Sequence, residues 1–252
     1  MKKHVILLVT AAILSFFTNA QSLRGILKNT GKKDSSGNTI ANVLKKGTVS
    51  KGSLTNEEII SGLKEALAVG TGNAAQKLSL VDGFFKDAAI KILMPAEAQK
   101  VERTLRNMGM GKQVDNAILS MNRAAEDAAK QAAPIFINAV KEMSFQDALG
   151  ILRGGDFAAT NFLKEKTTLA LTEAFRPVID NSVEKVGATK YWNTIFTTYN
   201  KFSSEKVNTD LSAYVTEKAL AGLFYQLSLE EQMIRKDPFA RTSDILKKVF
   251  AN

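Results

Sequence analysis

The sequence predicts an all-α domain, a single multi-helix bundle of about eight to ten helices, on three observations. Across residues 54–252 apolar side chains recur with helical spacing. Ser, Thr, Asp and Pro stand where helices would begin, and glycines stand where they would stop. No convincing alternation of apolar and polar residues marks a strand. A stretch of this length can bury about 70% of the surface that its unfolded chain exposes.

The elements follow in chain order. Thr55-Asn56-Glu57-Glu58 is a capping box, in which the Thr55 oxygen accepts the Glu58 N–H and the Glu58 side chain reaches back. Ile59, Ile60, Leu63 and Leu67 form one face, and Gly70 closes the helix. A second helix is expected over residues 73–80, with a break at Asp82-Gly83. The intervening Gly70-Thr71-Gly72-Asn73-Ala74-Ala75 fits a G-x-G-x-x-A string. A dinucleotide motif needs a preceding strand, so the string reads as a junction between helices, whose second member could hold an anion on its first N–H groups. Pro95 opens a helix over residues 96–108 that stops at Gly109 and Gly111.

A long helix is expected from Gln113 to about Gln131, burying Val114, Ile118, Met121, Ala125 and Ala128. Pro134 starts or kinks the next, which carries Ile135, Phe136, Ala139, Val140 and Met143. Ser144-Phe145-Gln146-Asp147 caps another, and Gly154-Gly155 breaks the chain. Asp156 can cap a turn over residues 157–163, and a helix over residues 167–186 is expected to be interrupted near Pro177. Tyr191, Trp192, Ile195, Phe196 and Tyr199 have helical spacing and read as core. Leu211, Val215, Ala219, Leu220, Leu223 and Phe224 form one stripe. Ser228-Leu229-Glu230-Glu231 reads as a further capping box, Asp237-Pro238 as a break, and Thr242 or Ser243 as the cap of residues 244–250.

Ahead of this domain, residues 1–20 have the form of a cleaved signal peptide. Lys2 and Lys3 precede an apolar run over residues 5–17, and small Ala20 stands at the cut before Gln21. The run is shorter than the roughly 20 residues that span a bilayer. The expected location is the periplasm, or otherwise outside the cell. Without cysteine near the cut, a lipidated N-terminus is excluded.

Residues 21–53 read as a basic, flexible linker rich in Gly, Ser, Thr, Asn and Lys. The chain carries +9, of which Lys2 and Lys3 leave with the signal. Arg24, Lys28, Lys32, Lys33, Lys45, Lys46 and Lys51 face only Asp34, so the linker holds +6 and residues 53–252 only +1. A nucleic-acid partner is therefore not expected, because such binders concentrate basic charge on the folded domain. The linker could make a weak contact with an anionic membrane surface.

The exported chain would lack both histidine and cysteine, since His4 is the only imidazole and there is no thiol. That excludes Ser-His-Asp and Cys-His catalysis and zinc, haem or iron–sulfur sites of the usual kind. No metal and no cofactor is expected. Three polar groups remain as ligand-binding candidates. Asn122, Arg123 and Glu126 lie within one turn of helix among small residues, as a register-fixing network or as a pocket in which Arg123 holds an anion. Arg153 and Asp156 flank the Gly154-Gly155 loop. Arg235 and Arg241 form the third group with Asp244, Arg241 being placed to tie down preceding carbonyls.

Two functions stay open. The first is a non-enzymatic envelope protein that binds a small apolar or anionic ligand, or a partner protein, in a helical scaffold. The second is a hydrolase or lyase using carboxylates, with Glu126, Asp156 or Glu217 as candidates. The first needs an apolar cavity or groove; the second needs two carboxylates converging in a cleft, one with a raised pKa.

Four strings carry a family resemblance: Gly62-Leu63-Lys64-Glu65-Ala66-Leu67-Ala68-Val69-Gly70-Thr71, Ser120-Met121-Asn122-Arg123-Ala124-Ala125-Glu126, Phe157-Ala158-Ala159-Thr160 with Lys166-Thr167-Thr168, and an ending from Tyr214-Val215-Thr216-Glu217 through Arg241-Thr242-Ser243-Asp244 to Phe250. Over residues 54–250 the chain resembles the bacterial family of unknown function numbered 4197. The resemblance implies a helical, exported protein of Gram-negative bacteria, and it implies no activity. The family pattern often has an acidic residue before Gly-Leu-Phe; here Ala221 precedes Gly222-Leu223-Phe224, which argues against chemistry at that position.

Export makes a direct prediction. N-terminal sequencing of the exported protein should begin at or near Gln21, and intact Met1 on cytosolic protein would contradict the signal reading.

Overall fold

The computed structural model describes residues 55–185, 187–204, 206–241 and 247; the expected signal peptide, the expected linker and the cap expected at Thr242 or Ser243 lie outside them. The described residues form eight α-helices and no strand. They are α1 (Asn56–Ser79), α2 (Gln99–Asn107), α3 (Gly111–Ala129), α4 (Ala132–Glu142), α5 (Phe145–Arg153), α6 (Ala158–Lys185), α7 (Ala188–Phe202) and α8 (Leu211–Lys236). Short 3-10 turns cover Ala96–Ala98 and Pro238–Ala240.

The two longest helices, α6 and α8, pack along each other. Helix α3 packs on both, and α1 packs on α8, α4 and α3. Helix α5 touches α1 and α6, and α7 touches α6 and α8. Helix α2 packs chiefly on α3 and on the 3-10 turn before it. The core they enclose is centred on fully buried Phe84, Phe136, Phe175 and Phe196. Phe136 and Phe224 meet edge to face at 6.1 Å, a geometry that favours the ring quadrupoles.

Several local signals act as expected. Thr55 and Glu58 form the capping box that starts α1, and Ser144 and Asp147 form the one that starts α5. The Asp147 carboxyl sits below the ordinary carboxylate range because the Ser144 hydroxyl and N–H both donate to it. Asp210, a cap not singled out in the sequence, starts α8 by accepting from the Ala213 N–H at 2.9 Å. Gly109 has φ 81°, which lets the chain turn between α2 and α3. The stripes of α3 and α8 are buried throughout.

Other expectations are corrected. Helix α1 runs unbroken through Gly70 and Gly72, so the G-x-G-x-x-A string is mid-helix, without a free N-terminus for an anion. Two mid-helix glycines cost about 1 kcal/mol each. Burial of Leu67, Ala74, Ala75 and Leu78 offsets this, and a Cβ at Gly70 would stand 3.6 Å from both Glu230 Cβ and Ile234 Cδ1, so α8 passes close by. Pro95 precedes a 3-10 turn instead of opening the α-helix directly. The expected turn over residues 157–163 and the expected helix over residues 167–186 merge into one helix, α6 (Ala158–Lys185), which continues through Pro177. Pro177 and Glu173 are both exposed, so the carbonyl deprived of its N–H partner lies on the solvent side. The Ser228 box does not form, because α8 is continuous there and the Ser228 hydroxyl donates to the Tyr225 carbonyl at 2.7 Å.

Residues 80–95 join α1 to the first 3-10 turn without regular structure of their own beyond turns. They nevertheless insert Phe84, Ile90, Ile92 and Met94 into the core. A Cβ on Gly222 of α8 would come within 2.6 Å of Phe84 Cε1 and 3.3 Å of Ile90 Cβ, so α8 accepts this segment only at a glycine.

Two glycine substitutions should have opposite signs in thermal unfolding. Gly222→Ala should destabilise by about 1–3 kcal/mol, since buried Phe84 cannot yield without repacking. Gly72→Ala meets nothing within 4 Å and should stabilise by about 0.5–1 kcal/mol.

Candidate functional site

The first nominated cluster holds the irregular segment against α3. The Asn122 side chain accepts from the Ile92 N–H at 2.9 Å and donates to the Ile92 carbonyl at 2.8 Å, so it pairs with Ile92 as a neighbouring strand would. Glu126 is buried, and its Oε1 accepts from the N–H groups of Phe84 (3.1 Å) and Phe85 (3.2 Å). Its Oε2 takes Arg123 Nη1 at 2.6 Å, while Arg123 Nη2 reaches Asp82 Oδ1 at 2.7 Å. Lys86 closes the outer side of Asp82 at 2.8 Å. Hydrogen bonds from Lys86 and then Arg123 hold the Asp82 carboxyl below its ordinary range. Each of these side chains thus meets a partner inside the fold. The Asp127 side chain pairs with Lys130.

The second cluster ties the two long helices together. Glu231 of α8 is buried at the start of α6, where it accepts from the N–H groups of Ala159 (3.0 Å) and Thr160 (2.8 Å) and from the Thr160 hydroxyl. A carboxylate from a different helix therefore caps α6 at the positive end of its dipole. Arg235 pairs with Glu231 at 2.9 Å and donates to the Ile151 carbonyl at 2.8 Å. Arg241 donates to the carbonyls of Ile234 (3.1 Å) and Arg235 (2.9 Å), the tie its position suggested. Asp244 lies outside the described residues. Beside Gly70 and Thr160 is a cavity of about 30 Å³, room for a water molecule or two.

The remaining nominees are solvent-facing. Arg153 is exposed on the last turn of α5. Asp156 is exposed and pairs with Lys236 at 3.2 Å, leaving the cap of α6 to Glu231. Glu217 is exposed and pairs with Lys218 at 3.0 Å. Glu126, Asp156 and Glu217 thus stand on three separate elements, each with its own partner. Among the described residues the carboxylates with a resolved shift, Asp82, Asp147 and Asp210, all sit low. For Asp210, burial pushes upward but is outweighed by the Ala213 N–H and Arg176.

A mainly apolar opening lies elsewhere, between α2, α3 and α7, with a volume of about 470 Å³. Val101 and Leu105 of α2 form one wall, Val114, Ala117 and Met121 of α3 another, and Trp192, Ile195 and Phe196 of α7 the third. Met94 and Met110 also line it, flexible thioethers that adapt to a guest's shape. The polar lining comes from Gln113, Asn116 and Ser120, all on α3, and no charged side chain lines the groove. Trp192 turns its N–H away to the Asn208 carbonyl at 2.9 Å, so it presents apolar ring to the groove. Tyr214 stacks on Trp192 at 5.9 Å and donates to the Leu93 carbonyl at 2.8 Å. Burial, and then Glu217 and Glu97, push its phenol up to about 12, so it stays a donor.

The groove contains none of the nominated polar residues. Its sequence signal is faint: Val101 and Leu105 give α2 one apolar edge on an otherwise charged helix, which has no fully buried residue. Among the described residues no helix is long and apolar enough to cross a membrane.

The four-string resemblance is confirmed. The model of the family described as "Protein of unknown function (DUF4197)" matches residues 53–251, and the chain belongs to that family. Comparison with curated proteins and with solved structures gave no match.

If Glu126 anchors the irregular segment, Glu126→Ala should destabilise by about 2–4 kcal/mol, because two buried N–H groups and Arg123 lose their acceptor. That should lower the thermal midpoint by roughly 5–15 °C. A midpoint within 2 °C of wild type, on the order of the shift from 1 kcal/mol or less, would contradict the anchoring role.

Proposed function

We propose that the protein is an exported, non-enzymatic binding protein of the cell envelope that holds an apolar ligand in the groove between α2, α3 and α7. The observation that carries this reading is the groove itself, with a volume of about 470 Å³ and an apolar lining free of charged side chains. Openings of roughly 300–1,000 Å³ with few polar groups are typical of small-molecule sites. The ligand's buried part is an uncharged hydrocarbon, and its polar end meets the amide and hydroxyl groups of Gln113, Asn116 and Ser120. The basic segment before the domain would bring it to an anionic membrane surface, where such amphiphiles are concentrated. The residues nominated for carboxylate chemistry lend no support to a hydrolase or lyase, since they do not converge.

N-Phenyl-1-naphthylamine, a neutral apolar fluorophore, tests the reading. Wild type should bind it with enhanced emission. Ala117→Trp, which fills the groove from α3, should weaken binding at least tenfold while leaving the thermal midpoint within a few degrees. Native mass spectrometry of protein from its own envelope should show a bound small molecule. No probe uptake and no bound mass would overturn the proposal.

A further inference from the structure

We infer that α2 is a lid over this groove, latched shut by the ion pair between Arg106 on α2 and Asp115 on α3; the inference rests on reading the groove as a ligand site. Four observations support it. Helix α2 has no fully buried residue, and Val101 and Leu105, its apolar edge, are only half-buried where they line the groove. It packs chiefly on its chain neighbours, the 3-10 turn before it and α3 after it. It is bounded by joints outside the α-helix: Pro95 and the 3-10 turn on one side, Gly109 at φ 81° on the other, where a Cβ would meet nothing within 4 Å. Arg106 then bridges that turn, holding Asp115 Oδ1 at 2.8 Å and Glu102 of its own helix at 2.9 Å.

The arrangement has a kinetic consequence. Swinging α2 away from α7 breaks the Arg106–Asp115 pair and lifts Val101 and Leu105 off the groove. The latch is present whether or not a ligand lies beneath, so it sets how often the groove opens and not how tightly the closed groove holds its guest. An exposed ion pair of this kind shifts such an opening equilibrium by about fivefold at most.

Stopped-flow fluorescence with N-phenyl-1-naphthylamine on the full chain provides the test. Asp115→Asn should raise association and dissociation rates together, about three- to fivefold, with the affinity changing less than twofold. Wild type in about 1 M NaCl, where the screening length falls to about 3 Å, should show the same acceleration, and the variant should gain little more. Asp127→Asn, which cuts the exposed pair with Lys130, is the control and should leave both rates unchanged. Hydrogen exchange should show α2 amides exchanging faster in Asp115→Asn and slowed by the probe. Probe binding with wild-type rates in Asp115→Asn and in salt would overturn the lid alone. Failure of wild type to bind any probe would overturn the groove reading and the lid with it.

Discussion

Residues 80–95 leave the end of α1 with a run of peptide groups and no helix or sheet to satisfy them. Buried backbone groups need partners, and here α3 supplies them from side chains: Asn122 serves both polar groups of Ile92, and Glu126 serves the N–H groups of Phe84 and Phe85. The charge on Glu126 is in turn held by Arg123 and, through it, Asp82. Once this segment is fixed, Phe84 and Ile90 sit against Gly222, Met94 takes its place at the groove, and Pro95 starts the 3-10 turn that leads into α2. The groove end of the molecule depends on one carboxylate and one amide a turn apart.

The same device recurs on α8. Glu231 caps α6, and its neighbour Glu230 accepts from Asn73 of α1 and Gln226 of its own helix. Helix ends and interhelix contacts are thus completed by acids from other helices. A chain without disulfides is held together by packing and by these charge-assisted bonds.

The helical class and much of the core were legible in the sequence because they follow from spacing alone, as the α3 and α8 stripes show. Caps were legible where the partner is three residues away, at Thr55 and Ser144. They were misread where the partner comes from another helix: Glu230-Glu231 looks like half of a local box, yet both acids point to distant neighbours. Breakers were misread for a related reason. Gly70 and Pro177 are penalties to an isolated helix, but one is compensated by a neighbour's close approach and the other by facing solvent. The polar cluster at 122–126 was visible, but not its partners, which belong to the irregular segment over residues 82–92 and not to another helix, and the groove was not visible, because it belongs to no single segment. It arises from three helices that leave space between them.

Trp192 gives that space a further property. It is the chain's single tryptophan, and its ring forms part of the wall while its N–H is engaged elsewhere. Nearly all of the molecule's near-ultraviolet emission at longer wavelengths therefore originates beside the opening. Replacing water there with hydrocarbon alters the polarity felt by one indole and by no other, so the protein carries a built-in optical gauge of what occupies it.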